Sequence, residues 1–350
     1  MKVLVVGEFR WEIYEKPLFK VFQELGYETY KFEWKKYLDY EGRSKFIEII
    51  KRVENKFHIG PDVYKMNSDL VAYVKKISPE LVFIYQGLFF TAATLKTIKF
   101  NGAKVFGYCN DDPFSDKAPK YFWRKYLSSC REYDLVFSYR LKNIDDYKRV
   151  YGIDSEILRS YYIEDRNYKL EKSAEKYECD VAFIGHYEDD GRDEFLIKVA
   201  RSGHSFKVYG AEWHRSKYYG EFKKIMGGDV QQLRGDYNIA LNSCKIALVF
   251  LSKINHDTYT RRCFEIPAAG AFMLSEYTDD LATLFEPDKE AVYFNNADEL
   301  INKVDYYLAH DDERIAIAQN GYERVRRDGH EIKDRARQII RAYERTSERN

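Results

Sequence analysis

The chain has 350 residues, enough for about two domains of ordinary size. Its 57 basic and 57 acidic residues cancel to a formal net charge of zero, which argues against a polyanion binder and so against nucleic acid as the main partner. Five scattered cysteines with no C-x-x-C pair argue against a disulfide framework or a cysteine zinc site, and no apolar run reaches the roughly 18–20 residues of a membrane span. The N-terminus turns polar too soon for a signal peptide, so the expected location is cytoplasmic.

The predicted elements alternate. "KVLVV" (2–6) reads as a buried strand, and apolar Leu18, Val21, Phe22 and Leu25 then recur at helical period up to Gly26. "ETYKFEW" is a second strand candidate, followed by two amphipathic stretches, 42–57 and 62–77. Then come "LVFIY" (81–85), a helix from about Thr91, "KVFGY" (104–108), a helix near 120–131 and "DLVFS" (134–138). Residues 159–178 are charged, rich in tyrosine and without a period, and read as a linker. Alternation resumes with "DVAFIG" (180–185), "SFKVYG" (205–210), "IALVF" (246–250), "AFMLS" (271–275) and "AVYF" (291–294), and the chain ends in helices. The pattern predicts two Rossmann-like, doubly wound parallel-sheet domains of α/β class, 1–165 and 166–330. A C-terminal helical segment, 331–350, is expected to pack back on the first domain. Ligands of open parallel sheets bind beyond the carboxyl ends of the strands, so a cleft between facing domains is the expected site.

Chemistry-bearing residues collect at those ends. Gly7 follows the first strand, but G-x-G-x-x-G is absent. The glycine is either a plain turn or a point where backbone approaches a ligand. In "GYCNDDPF", Asp111 and Asp112 follow a strand directly. They supply a general base or bind acceptor hydroxyls, or else form a turn with Pro113. In "DVAFIGHYEDDGRDEFL", Gly185 and His186 end a strand and Arg192 opens a helix, an arrangement suited to a diphosphate or simply to a charged loop. In "DTYTRRCFEIPAAGAF", Asp257 falls in a loop and Glu265 on a short helix ended by Pro267 and Gly270, with Arg261 and Arg262 as nearby cations. Carboxylates accept hydrogen bonds from sugar or ribose hydroxyls and arginines suit phosphates; a structural Glu265–Arg262 ion pair is the plainer alternative. No metal-ligand spacing is found among the histidines.

The run "RCFEIPAAGAFMLSE", with "DLATLFEPDKEAVYF" and "DELINKVDYYLAHDDERIAIAQNGYERV", resembles the C-terminal half of glycosyltransferases of the spore-maturation CgeB-like group. These are GT-B enzymes related to group 1 transferases. The resemblance runs from about Asp180 to Val325 and is fainter before Tyr162, where "GYCNDDPF" and "YDLVFSY" fit. It implies two Rossmann-like domains around a cleft. The first binds an acceptor and the second a nucleoside-diphosphate sugar, with neither metal nor cofactor. By the same resemblance Glu265 of "E-I-P-A-A-G" meets the donor ribose and Gly270 closes the motif. Asp257, eight positions earlier and one methylene shorter than the family's glutamate, contacts the donor sugar. The family's diphosphate Arg falls loosely on Arg192, and Lys245, Lys253, Arg261 and Arg262 are candidates for its cationic partner. The implied activity is hexosyl-type transfer to a glycan, lipid-linked or protein acceptor. A nucleotide-sugar 2-epimerase and a non-catalytic nucleotide-sugar-binding module are the alternatives.

Overall fold

The computed structural model describes every residue except 118, 349 and 350. Each of the ten apolar runs forms a strand. The first unit holds β1 (Lys2–Gly7), β2 (Glu28–Glu33), β3 (Leu81–Tyr85), β4 (Lys104–Cys109), β5 (Leu135–Ser138) and β6 (Ser155–Ile157). The second holds β7 (Cys179–Ile184), β8 (Phe206–Tyr209), β9 (Cys244–Val249), β10 (Met273–Glu276) and β11 (Val292–Phe294). All pairings are parallel, in the orders β2-β1-β3-β4-β5-β6 and β11-β10-β9-β7-β8. Helices cover both faces of such sheets, which is why β1, β3, β7 and β9 read as continuous apolar runs rather than alternating ones. In each sheet the order reverses beside its first strand, between β1 and β3 and between β7 and β9. The loops leaving those strands border a crevice where open sheets bind ligands.

The first unit comprises Met1–Arg159 together with the C-terminal helix Ile332–Glu348; the second is Ser160–Glu331. The terminal helix packs on the helix Glu15–Glu24, with Lys333 3.3 Å from Glu24. It is further tied to the β6 edge by Gln338, whose amide donates to the Ile157 carbonyl at 2.7 Å.

Three features differ from the sequence expectation. The linker-like stretch is docked in the second unit: backbone N–H groups of Tyr168, Leu170 and Ala174 donate to Asn238, Asn242 and Ser243, all on the helix Tyr237–Ser243. Polar anchors of this kind leave no hydrophobic period to read. β6 has half-buried residues and no apolar run. Pro267 lies inside the helix Arg262–Ala268 instead of stopping it, and the chain turns at Gly270, whose φ is 72°. The missing N–H of Pro267 costs the helix only the single bond that residue 267 would make to the Cys263 carbonyl.

Candidate functional site

In the second unit β7 runs into Gly185 and His186. The Gly185 carbonyl accepts from the buried Trp213 indole at 2.9 Å, which fixes the strand end. The hub of this loop is Glu188. His186 approaches it at 3.1 Å, Arg192 at 3.2 Å, and the Ser252 hydroxyl, just past β9, donates to it at 2.6 Å. Burial alone would raise the Glu188 carboxyl, but the His186 hydrogen bond, the Arg192 charge and the Ser252 hydroxyl outweigh it and hold it at about 2. Glu188 thus joins the ends of β7 and β9 across the switch point, a role that nothing in the sequence spacing signals.

Arg192, a diphosphate candidate, is only 2% exposed. It donates through Nε and Nη2 to Asp190 at 2.8 and 2.6 Å and through Nη1 to the His186 carbonyl at 3.0 Å. Its fork is occupied, so it fixes the loop rather than offering donors to an anion. Only the distance to Asp190, two residues back, reveals this.

The loop after β9 carries Asp257, whose backbone N–H donates to the Ser252 carbonyl at 3.0 Å. The helix Arg262–Ala268 starts at this carboxyl edge and returns the chain to the start of β10. Arg261 and Arg262 therefore sit at the ligand-facing end. Gly270 sits at the other, beside the Lys169 side chain, too far along to touch a ligand at the strand ends. Glu265, one turn in and 7% exposed, accepts from the Tyr237 hydroxyl at 2.8 Å. Burial and the Glu265 charge push the Tyr237 phenol well up, so it remains a donor. The Glu265–Arg262 ion pair is not formed. Among the described residues Arg262 makes no ion pair, and its Nε is buried without a hydrogen-bond partner. Its guanidinium carbon lies 5.9 Å from the Phe183 ring centre and 3.4 Å from where a Gly185 Cβ would stand. Gly185 and Arg262, far apart in sequence, are thus brought together, and the missing Cβ leaves the Phe183 ring its place, since a Cβ would stand 2.6 Å from that ring. Arg261 stacks 4.4 Å over the Tyr161 ring centre. Lys245 pairs with Asp180 at 2.8 Å at the amino end of β7, and Lys253 with Glu276 at 2.8 Å.

In the first unit Asp111 and Asp112 follow β4 and diverge. Asp112 is buried in the turn, where its Oδ1 accepts from the Phe114 N–H at 2.9 Å and the Asn143 amide at 2.8 Å. It is a structural residue. Asp111 accepts from the Gln86 amide at 2.6 Å, and Gln86 holds a left-handed φ of 47° at the end of β3. Burial pushes the Asp111 carboxyl up, with Arg140 pulling the other way. Gly7 faces no open space: a Cβ there would overlap the Glu15 side chain, whose Oε1 accepts the Glu8 N–H at 3.1 Å. The first βα turn is closed by the protein's own carboxylate.

Residues 192–341 match a family model described as glycosyl transferase-like. No curated protein sequence matches the chain. Among solved structures it is similar over its full length to sucrose-phosphate synthase from Thermosynechococcus elongatus, with TM-score 0.72, 11% identity and 100% of both chains covered. It is also similar to Anabaena HepE, solved with UDP and glucose, with TM-score 0.68, 12% identity and 98% and 99% of the two chains covered. A putative UDP-N-acetylglucosamine 2-epimerase from Listeria monocytogenes matches at TM-score 0.56 and 13% identity, with 97% and 94% covered. The architecture of two parallel sheets, six-stranded and five-stranded, is that of GT-B glycosyltransferases. The glycosyl transferase-like match, residues 192–341, covers most of the second unit and runs on into the helix Ile332–Glu348.

Proposed function

We propose that the protein transfers a sugar from a nucleoside-diphosphate sugar to an acceptor hydroxyl without a metal ion, as a CgeB-like enzyme. The observation that carries this reading is Arg262, a cation at the carboxyl edge whose buried Nε has no hydrogen-bond partner among the described residues. An unmade hydrogen bond from a charged donor is costly, and an anion such as a diphosphate would make it. Glu265 would accept the ribose hydroxyls, sharing them with Tyr237, and Asp257 would orient the sugar. Arg261 and Arg262 would stabilise the charge growing on the diphosphate as its bond to the anomeric carbon breaks, which is electrostatic catalysis at the leaving group. The acceptor oxygen forms the new bond to that carbon, and its proton passes to a base, for which Asp111 of the first unit is the candidate. Arg192, Asp112, Gly7 and Gly270 have structural roles in this scheme, and His186 shares the loop hub.

The test is calorimetric titration with nucleoside diphosphates, UDP first. Loss of a charge-assisted hydrogen bond costs about 2 kcal/mol, so Arg262→Met should weaken binding by about 30-fold. Glu265→Gln should weaken a ribonucleotide more than its deoxyribose analogue. Equal affinity of both variants and the wild type would sink the proposal. The likeness to the Listeria structure supports one further reading, epimerisation of the donor, and incubation with donor alone separates the two by whether an epimer accumulates.

A further inference from the structure

The helix Lys45–Phe57 in the first unit is inverted relative to ordinary packing. It is strongly amphipathic, yet its buried contacts come from Glu54 and Lys51, the latter tied to Asp62 at 2.6 Å. Its apolar side faces out: Phe46 is 73% exposed and Ile49 61%, with Ile50, Val53 and Phe57 beside them. Phe46, Ile50, Val53 and Phe57 follow a four-three-four spacing, so they share one face of the helix. The face continues onto a neighbour, since the half-exposed Tyr121 ring meets Phe57 at 5.2 Å. It also adjoins a cavity of about 470 Å³ whose lining includes Ile59, Val63, Tyr64 and Val71.

The charges around this face have one sign. Lys45 and Lys56 flank the apolar stripe on one side, and Lys120 and Arg124 extend from the helix that carries Tyr121. All four are exposed and make no ion pair among the described residues, whereas Glu48 is neutralised by Arg52 at 2.6 Å. Lys56 lies 5.5 Å from the Phe57 ring centre and 5.9 Å from that of Tyr121, which keeps its charge at the apolar border. Phenylalanine and isoleucine at the centre with unpaired lysine and arginine at the rim is the pattern of a helix lying in the plane of an anionic bilayer surface. No helix among the described residues is long and apolar enough to cross a membrane.

We propose that the face formed by Lys45–Phe57 and Tyr121 docks the protein on membranes containing anionic lipid. The experiment is co-sedimentation of the full chain with vesicles of phosphatidylcholine alone and of phosphatidylcholine mixed with phosphatidylglycerol, at low and high salt. Binding to the mixed vesicles that falls with salt is expected. Phe46→Asp with Ile50→Asp should weaken it by about 10-fold for each lost apolar anchor. Lys45→Gln and Lys56→Gln should weaken it by about 5-fold each. These side chains are exposed, so circular dichroism and melting should match the wild type. Absence of binding to the mixed vesicles would overturn the proposal, as would equal binding to both vesicle types or binding unaffected by the aspartate pair. A dimer in solution that the aspartate pair dissolves, with no vesicle binding, would assign the face to a second copy and also overturn it. Nucleotide titration of the same variants keeps this outcome separate from that of the transferase reading.

Discussion

The two sheets begin with the same order around their first strand, yet the turns leaving β1 and β7 treat a carboxylate in opposite ways. After β1, Glu15 folds back under Gly7 with its Oε2 buried and unpartnered; burial pushes its carboxyl up although backbone N–H groups of Glu15, Glu8 and Phe9 oppose this. After β7, Glu188 is gripped by His186, Arg192 and Ser252 and falls to about 2. The first turn satisfies its amides internally and is closed to anions. The second neutralises its own carboxylate with Arg192 and leaves Arg262 uncommitted beside Gly185. One architecture gives two different edges by where a single acidic side chain is placed and which cations reach it.

The comparison can be broken most severely at Glu188. Its carboxyl is held at about 2 against a normal 4.5, so its contribution is full above 4.5 and is lost as the pH falls toward 2. A shift of that size corresponds to about 3 kcal/mol, and Glu188→Gln should lose most of it at neutral pH, read from urea unfolding. The difference from wild type should shrink as both are acidified. Next in size is Gly7→Ala. The added methyl overlaps Glu15, and overpacking of this kind costs about 2 kcal/mol in the same measurement. Pairing it with Glu15→Ala should restore much of the loss. The smallest effect is the pH dependence of Glu15 itself, whose folded carboxyl lies above 4.5. Its contribution is fully present below 4.5 and lost as the pH rises through the raised folded value, the reverse of Glu188. Relative to Glu15→Gln, the wild type should therefore gain stability on mild acidification.

Much of the fold was open to reading because parallel strands buried on both faces are unbroken apolar runs, as "LVFIY" and "IALVF" are. β6 escaped because a three-residue edge strand with half-buried side chains has no such run. The placement of Glu265 on a short helix and Asp257 in a loop followed from Pro267 and the local pattern. What could not be read was which charges are already engaged. Arg192 and Arg262 are both arginines at a helix start, but Asp190 claims the first, whereas among the described residues no carboxylate pairs with the second. Likewise the amphipathic pattern of 42–57 was plain, whereas its outward-facing apolar side depends on packing through Glu54. Sequence period reports that a helix has two faces, and only the fold reports which one the core receives.

The helix Ile332–Glu348 has a consequence for the order of assembly. It belongs to the first unit and rests on the helix Glu15–Glu24, yet it is synthesised after the whole of the second unit. Domains generally fold as they emerge from the ribosome, the N-terminal one first. Here the second unit, Ser160–Glu331, is continuous and is fully made while the first still lacks its closing helix. The earlier-made sheet is the later to be finished, and its apolar flank stays open until the helix Ile332–Glu348 has been made.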